Sequence, residues 1–360
     1  MKIGFYTPYL TDVVGGGERH FLTTAECLSK YHQVDIIVNK LETDLVSKFD
    51  QVFNLNLSKV RFIQGPFSHS DSALDRIKFT KDYDIFYFMT DGSFFISKAK
   101  KNIVHFQIPF NTKPSISQRL KLKNWQVKTS NSCFTKNHLE NLWGITIDHI
   151  HRSAIDTKNL KPGDKKNIIL SVGRFISPLN NKHCKKQDVL VRTFIKMIKQ
   201  GLKGWKLVLI GPIDKGQDNL AYANKVQKLI KDYPIEIKHQ LTFDQLKGYY
   251  AKAKIYWHAA GFGIDQLNNP QAVEHLGLTT IEAQSAGAVP VVINKGGQPE
   301  VVTDKLNGLL WNTQTELITQ TLGLINNPPL MSKLSKRAIK SSKAFSKKKF
   351  CILTNQIFTL

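Results

Sequence analysis

Acidic residues are scarce in this chain. Its 360 residues hold 28 Asp and Glu against 51 Lys and Arg, a formal net charge of +23, and that imbalance points to phosphate-bearing partners. Cysteine is scarcer still. Cys27, Cys133, Cys184 and Cys351 stand apart, with no C-x-x-C pair and no close His/Cys cluster, so neither a zinc site nor a disulfide framework is expected, and a reducing compartment fits. No apolar run approaches the roughly 18 residues of a membrane span, and the opening MKIGFYTPYL lacks the basic, apolar and small-residue order of a signal peptide. A cytoplasmic place is expected, with peripheral attachment to the cytoplasmic face of a membrane left open. Three signatures are also missing. Without G-x-G-x-x-G and its acidic residue about 20 positions on, a Rossmann dehydrogenase is disfavoured. Without an aromatic-interleaved basic stripe, so is nucleic-acid binding. No D-x-D pair offers a metal-ligating context.

What is present is material for packed cores: 41% hydrophobic and 10% aromatic residues, in a length that suggests roughly two domains. Strand and helix alternate from the start. The pattern predicts a strand over 2–6, a loop over 13–18, a helix over 20–30 and a strand over 34–38. Strands follow over 84–89 and 103–105, then Ser130-Asn131-Ser132 precedes a helix ending near Trp143-Gly144. Around DTKNLKPGDKK the pattern lapses, then begins again. Strands are predicted over 168–172, 206–210, 235–238, 254–258 and 288–293, with helices over 188–200, 221–232, from 244, and over 278–286, and basic terminal helices from 333 onward. The expected organisation is a first domain over 1–155, a linker over 156–166, a second domain over 167–340, and a final helix over 341–360 packing back on the first domain. Both domains read as doubly wound α/β units facing a central cleft, and such sheets bind ligands beyond the carboxyl ends of their strands.

The chemistry-bearing motifs follow strands. Val14-Gly15-Gly16-Gly17-Glu18 follows the first, where residues without Cβ let amides approach an anion at a helix start. Gly173-Arg174 follows the strand at 168–172, with His183-Cys184-Lys185-Lys186-Gln187-Asp188 in the same connection, and a guanidinium with an ammonium from one loop suits a diphosphate. Glu274 and Glu282 lie eight positions apart in EHLGLTTIE. Were both helical they would sit about 12 Å apart along the axis, too far for an ordinary glycosidase pair. Gly277 instead places Glu274 in a loop with Leu278 opening the helix, so the amides of Gly277, Leu278 and Thr279 are free to hold a phosphate, with Glu274 toward whatever that phosphate carries and Glu282 toward a pair of hydroxyls. A sugar nucleotide has that layout.

The combination of GGGERHF, SNSCFTKNHLENLWGI, ILSVGRF with CKKQDVLVRTF, EHLGLTTIEAQSAGAVPVV, and GGQPEVV with NGLLW resembles the retaining glycosyltransferases of family 4, of GT-B fold, over nearly the whole chain. KKQD and EHLGLTTIE with NKGGQPEVV are most similar to mannosyltransferases that extend lipid-linked oligosaccharides with GDP-mannose. The resemblance implies that Gly16 and Gly17 approach the donor diphosphate, that Arg174 and Lys185 neutralise it, that Glu274 contacts the donor sugar, that Glu282 holds the ribose, and that His105 in IVHFQIP lies against the transferred sugar. Lys185 is followed by Lys186 where many members have Gly, and NNKHC lengthens the loop, so Lys182 and Lys186 remain alternatives to Lys185.

The implied reaction moves a hexose from GDP-mannose or a UDP-sugar, bound by the C-terminal domain, to a glycan or lipid-linked acceptor bound by the N-terminal domain, for cell-surface polysaccharide or glycolipid synthesis. Configuration is retained through front-face attack, and neither a divalent metal nor another cofactor is required. An inactive glycan- or nucleotide-sugar-binding relative and a GT-B epimerase are the rival readings. Lys98, Lys100, Lys101, Lys113, Arg119, Lys121 and Lys123 form a candidate patch for an anionic membrane surface.

Overall fold

The computed structural model describes residues 1–10, 15–41, 54–68, 70–179 and 182–359. Val13 and Val14 of the glycine loop, and Asn180 and Asn181 of the lengthened loop, lie outside the described residues. Two compact units divide the chain: Met1–Ala154 with Lys347–Leu360, and Ile155–Ser346.

In the first unit, β1 (Lys2–Tyr6) leads through α1 (Gly16–Ser29) to β2 (Gln33–Val38) and β3 (Val60–Gln64). Then come α2 (Ala73–Thr80), β4 (Ile85–Met89), β5 (Lys101–Phe106), α3 (Ile116–Leu122), β6 (Val127–Ser130), α4 (Cys133–Trp143) and β7 (His149–Ile150). All pairs are parallel, in the order β3-β2-β1-β4-β5-β6-β7. β4 is buried along its whole length, because both faces of a parallel sheet are covered. Ile85, Tyr87 and Met89 pack on one face, and Phe86 and Phe88 on the other. Asp35 of β2 is fully buried, and Arg61 of β3 meets it with two hydrogen bonds of 2.7 and 2.8 Å, the pairing such burial demands.

The second unit repeats the plan. β8 (Lys166–Val172), α5 (Gln187–Lys199), β9 (Lys206–Ile210), α6 (Gln217–Leu229), β10 (Ile235–Lys238), α7 (Phe243–Lys252) and β11 (Ala253–His258) come first. They are followed by α8 (Leu278–Ser285), β12 (Val289–Ile293), α9 (Gln298–Val301), β13 (Leu309–Trp311), α10 (Gln314–Ile325) and α11 (Pro328–Ser342). The parallel sheet has the order β10-β9-β8-β11-β12-β13. Residues 156–166, read from composition as a linker, pack with this unit: Leu160 is buried in its core and the Gly163 amide donates to Ala251.

The last helix, α12 (Lys347–Ile357), belongs to the first unit. Three ties hold it. Lys347 pairs with Glu26, Lys101 donates to the carbonyls of Ile357 and Thr359, and Cys27 is disulfide-bonded to Cys351, Cα to Cα 5.2 Å. The disulfide overturns the expectation of none and removes the support for a reducing compartment. The two cysteines stand 324 positions apart, and only the return of the last helix onto α1 brings them together. α1 also begins earlier than expected: Gly16, Gly17 and Glu18 are already helical, so the glycine loop is shorter than its composition suggests. Among the described residues no helix is long and apolar enough to cross a membrane.

Candidate active site

In the second unit the functional candidates collect where β8 and β11 end. β8 runs out at Val172, and Gly173 follows. A Cβ on Gly173 would stand 2.6 Å from Lys185 Cγ, so the glycine is what lets the lysine stem cross the end of the strand. Gln187 fixes the turn by donating to the carbonyls of Gly173 and Arg174 at 3.2 and 3.0 Å. Arg174 is 40% exposed, and among the described residues its ion-pair partner is Asp214 at 3.5 Å, a loose contact that leaves the guanidinium available.

Glu274 sits in the loop before α8, as its spacing from Gly277 predicts. Its side chain is 12% exposed, and Oε2 accepts hydrogen bonds from the Lys185 ammonium and from His258 Nε2 at 2.9 Å. His183 Nε2 lies 3.6 Å away and 3.2 Å from the Lys185 ammonium. Burial alone would raise the Glu274 carboxyl, but Lys185 and the two imidazoles outweigh it and hold the pKa well below the usual carboxylate range. Burial works the other way on the imidazoles: His183 and His258 are lowered, and His275, buried beside His183, is lowered to about 3. The rings are therefore neutral at pH 7. His258 donates from Nε2 to Glu274 and accepts the Ala260 amide on Nδ1 at 3.4 Å, one tautomer satisfying both contacts.

The loop carrying Glu274 is held by backbone pressed on backbone. The Gly297 amide donates to the Glu274 carbonyl at 2.7 Å. A Cβ on Gly297 would stand 2.2 Å from the His275 carbonyl, and one on Gly296 would stand 2.1 Å from that of Glu274. This is the physical content of the GGQPE segment. Gly277, at φ +99°, caps α8 in the left-handed region, and a Cβ there would meet the Gln298 side chain at 2.8 Å. Its carbonyl takes the amides of Thr280 and Ile281, which leaves Leu278 and Thr279 at the open first turn. Tyr256 of β11 donates to Thr279 Oγ1 at 2.7 Å and steadies that turn. At the other end, the Lys165 ammonium donates to the carbonyls of Ala253 and Ala286 at 2.8 and 2.5 Å, capping α7 and α8 together.

Glu282, one turn into α8, is buried, and its Oε2 accepts from Tyr250 of α7 at 2.9 Å. Lys182 is exposed and Lys186 is the left-handed residue that precedes α5, so of the three lysines only Lys185 reaches the carboxylate. The remaining candidates belong to the first unit. Gly16 and Gly17 open α1. His105 is fully buried in β5, with Nδ1 on Thr129 at 2.8 Å, Nε2 on Gln107 at 3.0 Å and its ring stacked on His20.

His258 and Tyr250 were not singled out by sequence reasoning, and His183 entered it only as part of the loop motif that carries Lys185. His258 carried the one available signal, a polar residue closing an apolar strand. A groove of about 1160 Å³ in this unit, lined by Trp205 and Lys252, lies at the amino ends of β8 and β9, away from the carboxyl ends where such sheets take ligands.

Residues 153–341 match the family described as Glycosyl transferases group 1. Over 186 residues the chain is 26% identical to the human GDP-Man:Man(3)GlcNAc(2)-PP-Dol alpha-1,2-mannosyltransferase, covering 46% of this chain and 34% of that enzyme. It therefore spans about a third of that relative's length. A glycosyltransferase from Rickettsia africae ESF-5 superposes with a TM-score of 0.77 at 18% identity, over 99% of this chain and 98% of the other. Anabaena Alr3699/HepE in complex with UDP-glucose gives 0.72 at 15%, over 99% and 98%. Both parallel-sheet units thus take the GT-B form. Every member of the carboxylate cluster falls inside the family match, which spans more than half of the sequence: the chain belongs to the group 1 glycosyl transferases.

Proposed function

We propose that this protein transfers a hexose, with retention of configuration, from a nucleoside diphosphate sugar bound by the second unit to a glycan or lipid-linked acceptor. The observation that carries the reading is the grouping of Arg174, Lys185 and Glu274 with the open first turn of α8, at the carboxyl ends of β8 and β11. Cations and free amides gathered there suit a diphosphate whose negative charge grows as it leaves. The Lys185 ammonium, resting on Glu274, is positioned to move to the β-phosphate when the donor arrives. Glu274 then accepts from the sugar hydroxyls, with His258 fixing its direction. Glu282, oriented by Tyr250, accepts from the ribose.

In the transfer step the bond between the anomeric carbon and the phosphate oxygen breaks, and the acceptor oxygen bonds that carbon on the same face. The acceptor proton passes to the departing phosphate, so no protein base is required. The cations and amides supply the electrostatic stabilisation, and no divalent metal enters the step. GDP-mannose and UDP-glucose are the first donors to test, because one is named for the human relative and the other is bound by the Anabaena protein.

A membrane-presented acceptor is part of the proposal. Ile116 and Leu120 of α3 are 80% and 60% exposed, on the helix that carries Arg119 and Lys121, a pairing suited to an anionic leaflet. Lys100 and Lys101 drop out of the expected patch, one paired with Asp84 and the other tied to the C-terminal carbonyls. The test is a screen of GDP-, UDP- and ADP-sugars by thermal unfolding, followed by the anomeric configuration of the product by NMR. One donor family should stabilise the protein by about 2.7 kcal/mol at 100 times its Kd and yield a retained product. Inversion, or no stabilisation by any of them, overturns the reading.

A further inference from the structure

Three imidazoles meet inside the first unit. His20 of α1, His105 of β5 and His151, just after β7, are each 0% exposed, and one ring nitrogen from each lies within 4.8 Å of the others. The His20 and His105 rings stack with centroids 4.1 Å apart, and His151 meets His20 edge-on at 4.7 Å. Each ring spends one nitrogen on a hydroxyl: His20 Nδ1 on Ser153 at 3.2 Å, His105 Nδ1 on Thr129 at 2.8 Å, and His151 Nε2 on Thr354 at 2.9 Å. Among the described residues, His20 Nε2 and His151 Nδ1 have no hydrogen-bond partner, although both are buried. An unmatched buried polar atom is destabilising. Two facing one cluster call for an occupant.

We propose that His20, His105 and His151 bind one divalent transition-metal ion of the zinc class, with Ser153, Thr129 and Thr354 as the outer shell that orients the rings. Imidazole nitrogens select zinc, cobalt or nickel over magnesium and calcium, which prefer oxygen. A ligating histidine ordinarily has its second nitrogen engaged, as all three have here. α12 completes the surroundings: it supplies Thr354 and stacks Phe350 on His151 at 4.4 Å, and the Cys27–Cys351 bond ties it down.

Zinc–nitrogen bonds of about 2.0–2.1 Å place tetrahedral nitrogens roughly 3.3 Å apart. Binding therefore tilts the stacked pair inward and turns His105 Nε2 away from Gln107, now at 3.0 Å. The ion is structural. It lies in the unit that does not carry the carboxylate cluster, and its presence is independent of the transfer reaction proposed above. A trapped water bridging the two unmatched nitrogens is the rival occupant.

The test uses untagged full-length protein, stripped with chelator and titrated with Zn(II) and with Co(II). One equivalent should survive desalting by elemental analysis, raise the unfolding midpoint, and give Co(II) visible bands without a thiolate charge-transfer band. His20→Gln and His151→Gln should each abolish retention, and the near-isosteric Thr354→Val should weaken affinity about 10–100-fold. If the histidine variants fail to fold, the wild-type titration and Thr354→Val still decide. No retained metal in the wild type, a thiolate band implicating Cys133 or Cys184, or full affinity in Thr354→Val overturns the proposal.

Discussion

The two units share one strand order, with the first strand central and the chain winding outward to both sides, yet they differ in what lies at their strand ends. In the second, the ends of β8 and β11 carry a carboxylate, an ammonium and neutral imidazoles locked together, with left-handed Gly277 and Gly296 alongside. In the first, α1 opens on glycines of ordinary extended or helical backbone, and the polar cluster is three buried histidines with no carboxylate among them. The cores differ as well. One face of the first sheet is dense with aromatic rings, including Tyr6, Phe86, Phe88, Trp125 and Trp143, where the corresponding cluster around Leu170, Ile281 and Val292 is mostly aliphatic. The same scaffold thus supports different chemistry, because the connecting segments supply it.

The sharpest way to break this comparison is to unpair the charge in the second unit. Lys185→Met leaves Glu274 12% exposed without its cation, and should cost about 3–5 kcal/mol in urea unfolding. Adding Glu274→Gln should recover most of that loss, and strict additivity of the two substitutions would show that the pair is not coupled. Arg174→Ala should lower kcat by about a hundredfold, near 2.7 kcal/mol, with donor Kd changed far less. Equal losses in both would make Arg174 a simple binding residue. Tyr250→Phe removes a bond to the buried Glu282 and should cost about 1.5–3 kcal/mol of stability, read from the same urea curves.

Glycine substitutions separate the units directly. Gly297→Ala drives a methyl into the His275 carbonyl and should destabilise by about 1–3 kcal/mol. Gly17→Ala meets Gln107 only at 3.5 Å and should leave stability within about 0.5 kcal/mol. Any loss of activity in Gly17→Ala would then report on donor approach rather than on folding. Acid is the mildest probe. His183, His258 and His275 have folded pKa values below 6.5, so the unfolded chain binds more protons in that range. Stability is full above about pH 6.5 and falls on acidification by up to about 1.4 kcal/mol per pH unit for each ring. Glu274, also depressed, adds a second loss as pH drops through its folded value. Urea midpoints that stay level between pH 8 and 5 would show the rings to be solvated.

Much of the site was legible because its parts are local. Gly277 stops the helix from extending back to Glu274, and the step from Gly173 to Arg174 follows an apolar strand, so neighbouring residues alone place both in loops that follow strands. Lys185 could be narrowed to three lysines and no further, since the choice depends on which stem passes over Gly173. His258 and Tyr250 stayed hidden because each acts on a carboxylate 16 or 32 positions away.

Alternating apolar strands and amphipathic helices, with breaks at Gly and Pro, were enough to determine two parallel α/β units and the order of their parts, because periodicity and turn chemistry act over a few residues. The tertiary structure alone decided the Cys27–Cys351 bond and the meeting of His20, His105 and His151. Those contacts join positions far apart in the chain, and a sequence carries no local mark of them. They exist only once both faces of the sheet have been covered.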